Sequence, residues 1–330
     1  MKSIFFAILI ALFFAGCGSK NYYKPQKIDD KLTYSKTVDS KIVDVSRDGA
    51  TYDDGKVVVR DIGILDLNIP KGFTFVNSAD NGIIITSKSG VVKILSSKNE
   101  LLFEKNFGKQ LISASIRDTL LAMVFIDNEI MLYDIKDDKI QYKQLLSQAL
   151  TIDARAANPI FLDNLLIFAT LDGRVLIMSL DNKTVVRDVS ISNKEFFNNV
   201  IFLDNFEDTL VAATSSKIIS VNKAQSNTLN IDAKDIIFQD KNIYVFTKNG
   251  EVILLDESLK KLQELKFTFG HFVAVSLGEK LYAVEKRGYL IEIEKDLSSY
   301  RVLKLPSKVD GALFFYKNKI YFDNHYIEIK

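Results

Sequence analysis

From about residue 73 onward, hydrophobic and polar positions repeat one pattern: an apolar run, a polar turn, a second apolar run, another turn, and a third run. The second and third runs of the first four units read "GIIITSKSGVVKILSS" from Gly82, "LLAMVFIDNEIMLYDI" from Leu120, "LLIFATLDGRVLIMSL" from Leu165 and "TLVAATSSKIISVN" from Thr209. Three more follow, "NIYVFTKNGEVILLD" from Asn242, "KLYAVEKRGYLIEIE" from Lys280 and "KIYFDNHYIEIK" from Lys319. The turn residues Gly90, Asn128, Gly173, Ser216, Gly250, Gly288 and Asn324 are 38, 45, 43, 34, 38 and 36 residues apart, seven copies at a mean of 39. A period of this size marks a repeat architecture.

Gly, Asn and Asp recur at these turns because tight hairpins need positive φ at central positions. The flanks alternate and are rich in Val, Ile, Phe and Tyr, as half-buried strands are. An apolar run precedes each hairpin, as in "NPIFLDN" and "DIIFQDK", and another ends it, as in "KTVVRDVSI" and "YRVLKLP", so each complete unit predicts four strands. A lone twisted sheet of four strands is marginal, and neighbouring sheets must cover its two apolar faces. Radial repetition of such sheets predicts an all-β fold, a β-propeller of four-stranded antiparallel blades. An open array of sandwiches is the other architecture, and it leaves edges.

The last unit has only three strands before the chain stops. Near the other end "GILDLNIPKGFTFVN" from Gly63 parallels "YRVLKLPSKVDGALFF" from Tyr300, with Pro70 and Pro306 in equivalent places. The expectation is that the segment Ile64 to Ile69 completes the final blade, giving a ring of seven. If residues 42–60 build a further sheet, the ring has eight.

Composition adds a membrane anchor. Cys17 is the sole cysteine of 330 residues, so no internal disulfide stabilises the chain. Ahead of it stand Lys2 and "IFFAILIALFFAG", an apolar segment too short and poorly flanked for a stable span, which reads as a signal peptide. Ala15 and Gly16 before Cys17 resemble the bacterial lipobox, which implies cleavage before an acylated Cys17. The expected organisation is a signal over 1–16, a lipidated cysteine with a flexible tether over 17–36, and a single propeller domain over 37–330. Gly18 in place of an Asp points to the outer membrane. Without residues 1–16 the chain has 42 basic and 42 acidic residues. With no basic excess, nucleic acid is not the expected partner.

Candidate chemistry is sparse. His271 and His325 have no Cys or second His near them to suggest a zinc site. There is no Gly-rich phosphate loop, no G-x-S-x-G elbow, and no calcium-loop spacing in the acidic clusters "YDDG" and "IKDD". The expectation is a protein without cofactor or metal that is not an enzyme, although carboxylates from distant units can still meet in a propeller's central funnel.

The turn "DGRVLIMSLDNKT", Asp172 to Thr184, resembles the repeat of quinoprotein-like propellers. Among lipidated members the chain is similar to the outer-membrane protein assembly factor B family, scaffolds of the machinery that inserts β-barrels into the outer membrane. The resemblance covers roughly residues 60 to 330. The absence of tryptophan departs from quinoprotein repeats, whose Trp docks adjacent blades, and leaves that packing to Phe, Leu and Ile. "TIDARAANPIFLDNLLIFATLDGRV" from Thr151 is similar to the family segment in which an Arg shortly before a Pro contacts the barrel-inserting partner, which implies Arg155 with Pro159. "LNIDAKDIIF" implies Asp232 as the acidic contact of the next-but-one loop, although Asn230 stands where the family has a first acid.

The expected function is therefore an outer-membrane-anchored periplasmic scaffold, a monomer within a larger complex, that binds a protein partner in β-barrel assembly. The alternatives are an outward-facing envelope lipoprotein acting as an adhesin, and a small-ligand-binding propeller.

Overall fold

The computed structural model describes residues 21–60, 62–79, 82–153 and 155–329. Among them every regular element is a strand, and the strands form eight sheets in chain order. The first blade is Ile42–Val45, Gly49–Tyr52, Val57–Val59 and Gly63–Leu65. The next six begin with the innermost strands Phe73–Ala79, Leu111–Arg117, Ile160–Leu162, Phe202–Phe206, Ala233–Gln239 and Phe272–Leu277, and the eighth begins with Leu313–Tyr316. Within each blade successive strands pair antiparallel, as in Leu120↔Asp134 and Leu121↔Tyr133. Gly90, Gly173, Gly250 and Gly288 have φ of 92°, 82°, 78° and 85°, and Asn128 has 65°, the left-handed backbone the turn chemistry requires.

The core is divided among the joints of the ring. Eight apolar clusters each straddle two blades. One joins Val76, Ile84 and Val92 of the second to Leu121, Met123 and Tyr133 of the third. Another joins Ile42, Ala50 and Tyr52 of the first to Phe314 and Tyr321 of the eighth, which closes the circle. Phe75, Phe125, Phe168, Phe246 and Phe272 are among the largest fully buried side chains and occupy the joints in a chain without tryptophan.

The ring has eight blades, not seven, and Ile64 to Ile69 does not complete the last one. Gly63–Leu65 pairs with Val57–Val59 and is the outer strand of the first blade. Its likeness to the segment from Tyr300 is real but reflects an equivalent position, since Tyr300–Lys304 is the outer strand of the seventh blade. The first blade escapes the repeat pattern because its strands are three or four residues long. Closure comes from further upstream. Lys36–Thr37 pairs antiparallel with His325–Glu328 as the outer strand of the eighth blade.

The stretch before that strand, expected as tether, is strapped along the seventh and eighth blades. Tyr23 is buried edge-on against Phe267 and Tyr289, with ring centroids 6.1 and 5.8 Å away. Asp30–Lys31 adds a parallel fifth strand to the seventh blade, flanked by Asp29 N–H donating to Val302 O and Leu32 N–H to Lys304 O, each at 2.8 Å. Tyr34 then stacks on His325 at 4.0 Å.

Candidate functional site

Strand direction gives the ring two distinct faces. Each inner strand runs away from the loop that feeds it. The inter-blade loops and the turns between second and third strands therefore share one face, here the loop face. The turns after the first and third strands of each blade form the other, the turn face.

Between the faces runs a central channel enclosing ≈ 580 Å³ and lined by inner strands of all eight blades. The seventh and eighth blades line it with small, apolar or aromatic side chains, the second to sixth add polar or charged ones such as Asn77, Ser115, Arg155, Asp204 and Asp235, and the first blade differs from all of them in sending a turn into it. Its turn at Ser46–Asp48 lies inside the channel. Arg47 reaches across to the fifth blade on the far side. Its Nη1 donates to Ile201 O at 2.7 Å and lies 3.6 Å from Asp235 Oδ1, and its guanidinium sits 5.0 Å from the Phe202 ring. Arg60 pairs with Asp48 at 2.7 Å and donates to Arg47 O at 2.7 Å, while Asn158 Nδ2 donates to Asp48 at 2.6 Å. This network ties the first, fourth, fifth and sixth blades together across the axis.

The channel also holds Asp204, whose carboxyl accepts from Asn205 N–H at 2.8 Å. Burial pushes its pKa above the ordinary carboxylate value, and the nearby Arg47 and Arg60 only partly offset that.

Arg155 and Pro159 both line this channel. Arg155 is largely buried and grips Asp153, with Nε donating at 2.8 Å and Nη2 donating to the second oxygen. Burial would raise Asp153, but the Arg155 guanidinium outweighs it and holds the carboxyl low. Arg155 Nη1 is buried without a hydrogen-bond partner. Lys234 is half-buried nearby, and burial followed by the Arg155 charge lowers its pKa. Pro159 O accepts from Ser115 Oγ at 2.7 Å. Asp232 is exposed on the loop face, in a groove of ≈ 460 Å³ with Lys194, Lys217 and Asn230. The structure thus draws Arg155 and Pro159 into the channel and leaves Asp232 outside it. Cys17 lies outside the described residues.

Two feeder loops dominate the loop face, residues 146–159 before the fourth blade and 191–201 before the fifth. They are laced together. Asn199 Nδ2 donates to Asp153 O at 3.0 Å while its Oδ1 accepts from Asp153 N–H at 2.7 Å, and Ala157 N–H donates to Val200 O at 3.0 Å. The pair is rigid at its base and apolar at its tips, where Leu150, Phe196 and Phe197 are 51–57% exposed, and Phe269 of the seventh blade's feeder loop is 54% exposed on the same face.

Sequence reasoning missed Arg47, Asp48, Arg60 and the Phe196–Phe197 tip. One signal was present for the first group. The chain has eight arginines among its 43 basic residues, and two of them belong to the short first blade, one in its first turn and one just after its third strand, where a planar fork of donors suits buried carbonyl and carboxylate partners. No group of three or more His, Cys, Asp or Glu able to hold a metal ion occurs among the described residues. No helix among them is long and apolar enough to cross a membrane.

No protein-family model matches the chain. In fold it is similar to BamB from Moraxella catarrhalis, with a TM-score of 0.67, 12% identity, and coverage of 89% of this chain and 99% of that one. It is also similar to the C-terminal WD40 domain of Sif2, with a TM-score of 0.69, 14% identity, and coverage of 92% and 100%. At such identities the likeness is one of fold. In sequence the chain is 31% identical over 387 aligned positions to the plasminogen-binding protein PgbB of one Helicobacter pylori strain, an alignment covering 99% of this chain and 71% of the relative. The same protein from a second strain matches at 31% over 386 positions. An alignment of that extent runs through all eight blades and the strap, and the chain belongs to the family of the plasminogen-binding protein PgbB.

Proposed function

We propose that this chain is a lipid-anchored, non-enzymatic propeller of the outer membrane that binds a protein partner, with plasminogen as the first partner to test. The observation that carries the reading is the relationship to PgbB over 99% of the chain. The architecture supports it, because a rigid ring presents many independent loops and turns to a partner without needing a catalytic cleft. In the channel, Arg47 spans the axis and most charges are already paired, an arrangement suited to holding the ring together rather than to chemistry on a substrate. The experiment is surface plasmon resonance with the chain immobilised and plasminogen in flow. Saturable binding is expected, and a flat response up to the solubility limit overturns the reading.

A second reading places the chain on the periplasmic side as a scaffold for β-barrel insertion. The lipobox-like stretch before a propeller favours it. Arg155 is committed to Asp153 and half withdrawn into the channel, so Asp232 is the more accessible of the two family-implied contacts. Co-purification of the barrel-insertion machinery with the wild-type chain, reduced by Asp232→Arg, supports this reading, and its absence removes it. Protease shaving of intact cells separates the two, since only an outward-facing chain is cut.

A further inference from the structure

The two faces differ in a way that protein binding alone does not require. At loops and turns, the loop face exposes Leu150, Phe196, Phe197 and Phe269, whereas Ile62 is the one large apolar side chain so exposed on the turn face among the described residues. Charge follows the same division. Over the fifth to seventh blades the loop face carries Lys194, Lys217, Lys248, Lys286 and Arg287, none of them in an ion pair among the described residues, against the exposed acids Glu195 and Asp232. The turn face carries Asp163, Glu207, Asp208, Asp240 and Glu279 at its turns. Over the fifth to seventh blades its Lys223, Lys241 and Lys280 are occupied by Asp208, Glu207 and Glu294, which leaves Lys260 and Lys295 against Asp240, Asp256, Glu257, Glu279 and Asp296.

The strap decides which face meets the membrane. Arg287, at a loop-face turn of the seventh blade, lies 4.1 Å from the Tyr22 ring, and Tyr23 is buried beside it. Tyr22 is five positions from Cys17, a contour of at most roughly 18 Å at 3.3–3.6 Å per residue. An acyl group on Cys17 is therefore held close to the loop face at the seventh blade, where Phe269 projects. Aromatic tips ringed by unpaired cations are the chemistry of an interfacial membrane contact.

We infer that the sector of the loop face over the fourth to seventh blades docks on a lipid surface with anionic headgroups, with Phe269, Phe196, Phe197 and Leu150 entering the interface. The inference rests on the anchor at Cys17 given under the proposed function. It turns the acidic turn face outward, away from the bilayer and toward the partner.

Because the chain has no tryptophan, single substitutions report position without background. The acylated chain carrying Phe269→Trp, Phe197→Trp or Ile62→Trp is reconstituted in vesicles of phosphatidylglycerol and phosphatidylcholine, part of it with brominated acyl chains. Quenching and a blue shift are expected for Phe269→Trp and Phe197→Trp, with Ile62→Trp unchanged. Quenching of Ile62→Trp alone overturns the inference. So does quenching of none of the three, in which case the apolar sector is a protein interface. The mass of the mature N-terminus checks the anchor separately. If Cys17 carries no acyl group, the anchor reading fails, and docking is decided by the same three variants mixed with the vesicles at low salt. In that format Lys248→Glu with Lys286→Glu weakens vesicle capture by at least about 25-fold, since each lysine near an anionic surface is worth about fivefold. Unchanged capture by the double variant also overturns the inference.

Discussion

Replacing Arg47 by Ala removes the strut that crosses the channel, and its cost can be worked from the contacts. The side chain, 18% exposed, donates a charge-assisted hydrogen bond to Ile201 O at 2.7 Å, which is worth about 1.5–3 kcal/mol. Its stacking on Phe202 at 5.0 Å adds about 0.5–2 kcal/mol. The 3.6 Å approach to a partly exposed Asp235 adds about 0–1 kcal/mol. These contacts share one side chain and are not additive, so about 3 kcal/mol is expected. For a chain of roughly 300 ordered residues, unfolding entropy near 2.1 cal/mol/K per residue converts this to a fall in Tm of about 5 °C. Differential scanning calorimetry and urea unfolding measure it. Arg47→Lys keeps the charge but loses the fork, and recovers less than half of the loss. If Arg47→Ala costs less than about 0.5 kcal/mol, the cross-channel network contributes nothing to holding the ring, and the account of the first hairpin is wrong.

Tyr23→Ala removes a buried ring between the sixth and seventh blades, so the strap detaches at about 3 kcal/mol less cost, seen as faster tryptic cleavage at Lys27 and Lys31 with the ring intact. Gly250→Ala is expected to cost about 3 kcal/mol or more, because φ is 78° and the added Cβ would sit 2.3 Å from Phe267 O; Gly63→Ala, at φ 97° with open space around it, costs only about 1 kcal/mol, and equal Tm shifts for the two would refute the contrast. Asp204→Asn stabilises the protein at neutral pH: burial raises the folded-state carboxyl, so its stability is full below the unfolded pKa and falls as pH rises through the folded one. The gain over wild type therefore vanishes below about pH 4, and urea midpoints at pH 3.5 and 7 that show a constant difference would refute this.

How much of this molecule could be read from its sequence follows from the range over which each feature is built. A blade is local. The hairpin around Gly173 needs only Leu165–Ala169, Arg174–Ser179 and a turn residue at φ 82°, so alternation and turn chemistry expose it directly. The first blade is just as local, but with a first turn folded into the channel and strands of three or four residues it presents too little alternation to count, which made the ring one blade short. Closure was harder because the pairing of Lys36–Thr37 with His325–Glu328 spans nearly the whole chain, and a two-residue strand of Lys and Thr has no hydrophobic signature. The channel is the limiting case. Arg47 and Ile201 are 154 positions apart, and Asn158 and Asp48 are 110 apart, so no spacing rule connects them. What brings them together is ring geometry, in which the first and fifth blades of eight face each other across the axis. Arg155 shows the same effect in reverse. Family likeness gave its position in the loop, but only the folded ring makes Asp153 its partner and turns the pair toward the channel, so a residue read as a contact for another protein is first a part of the interior of this one.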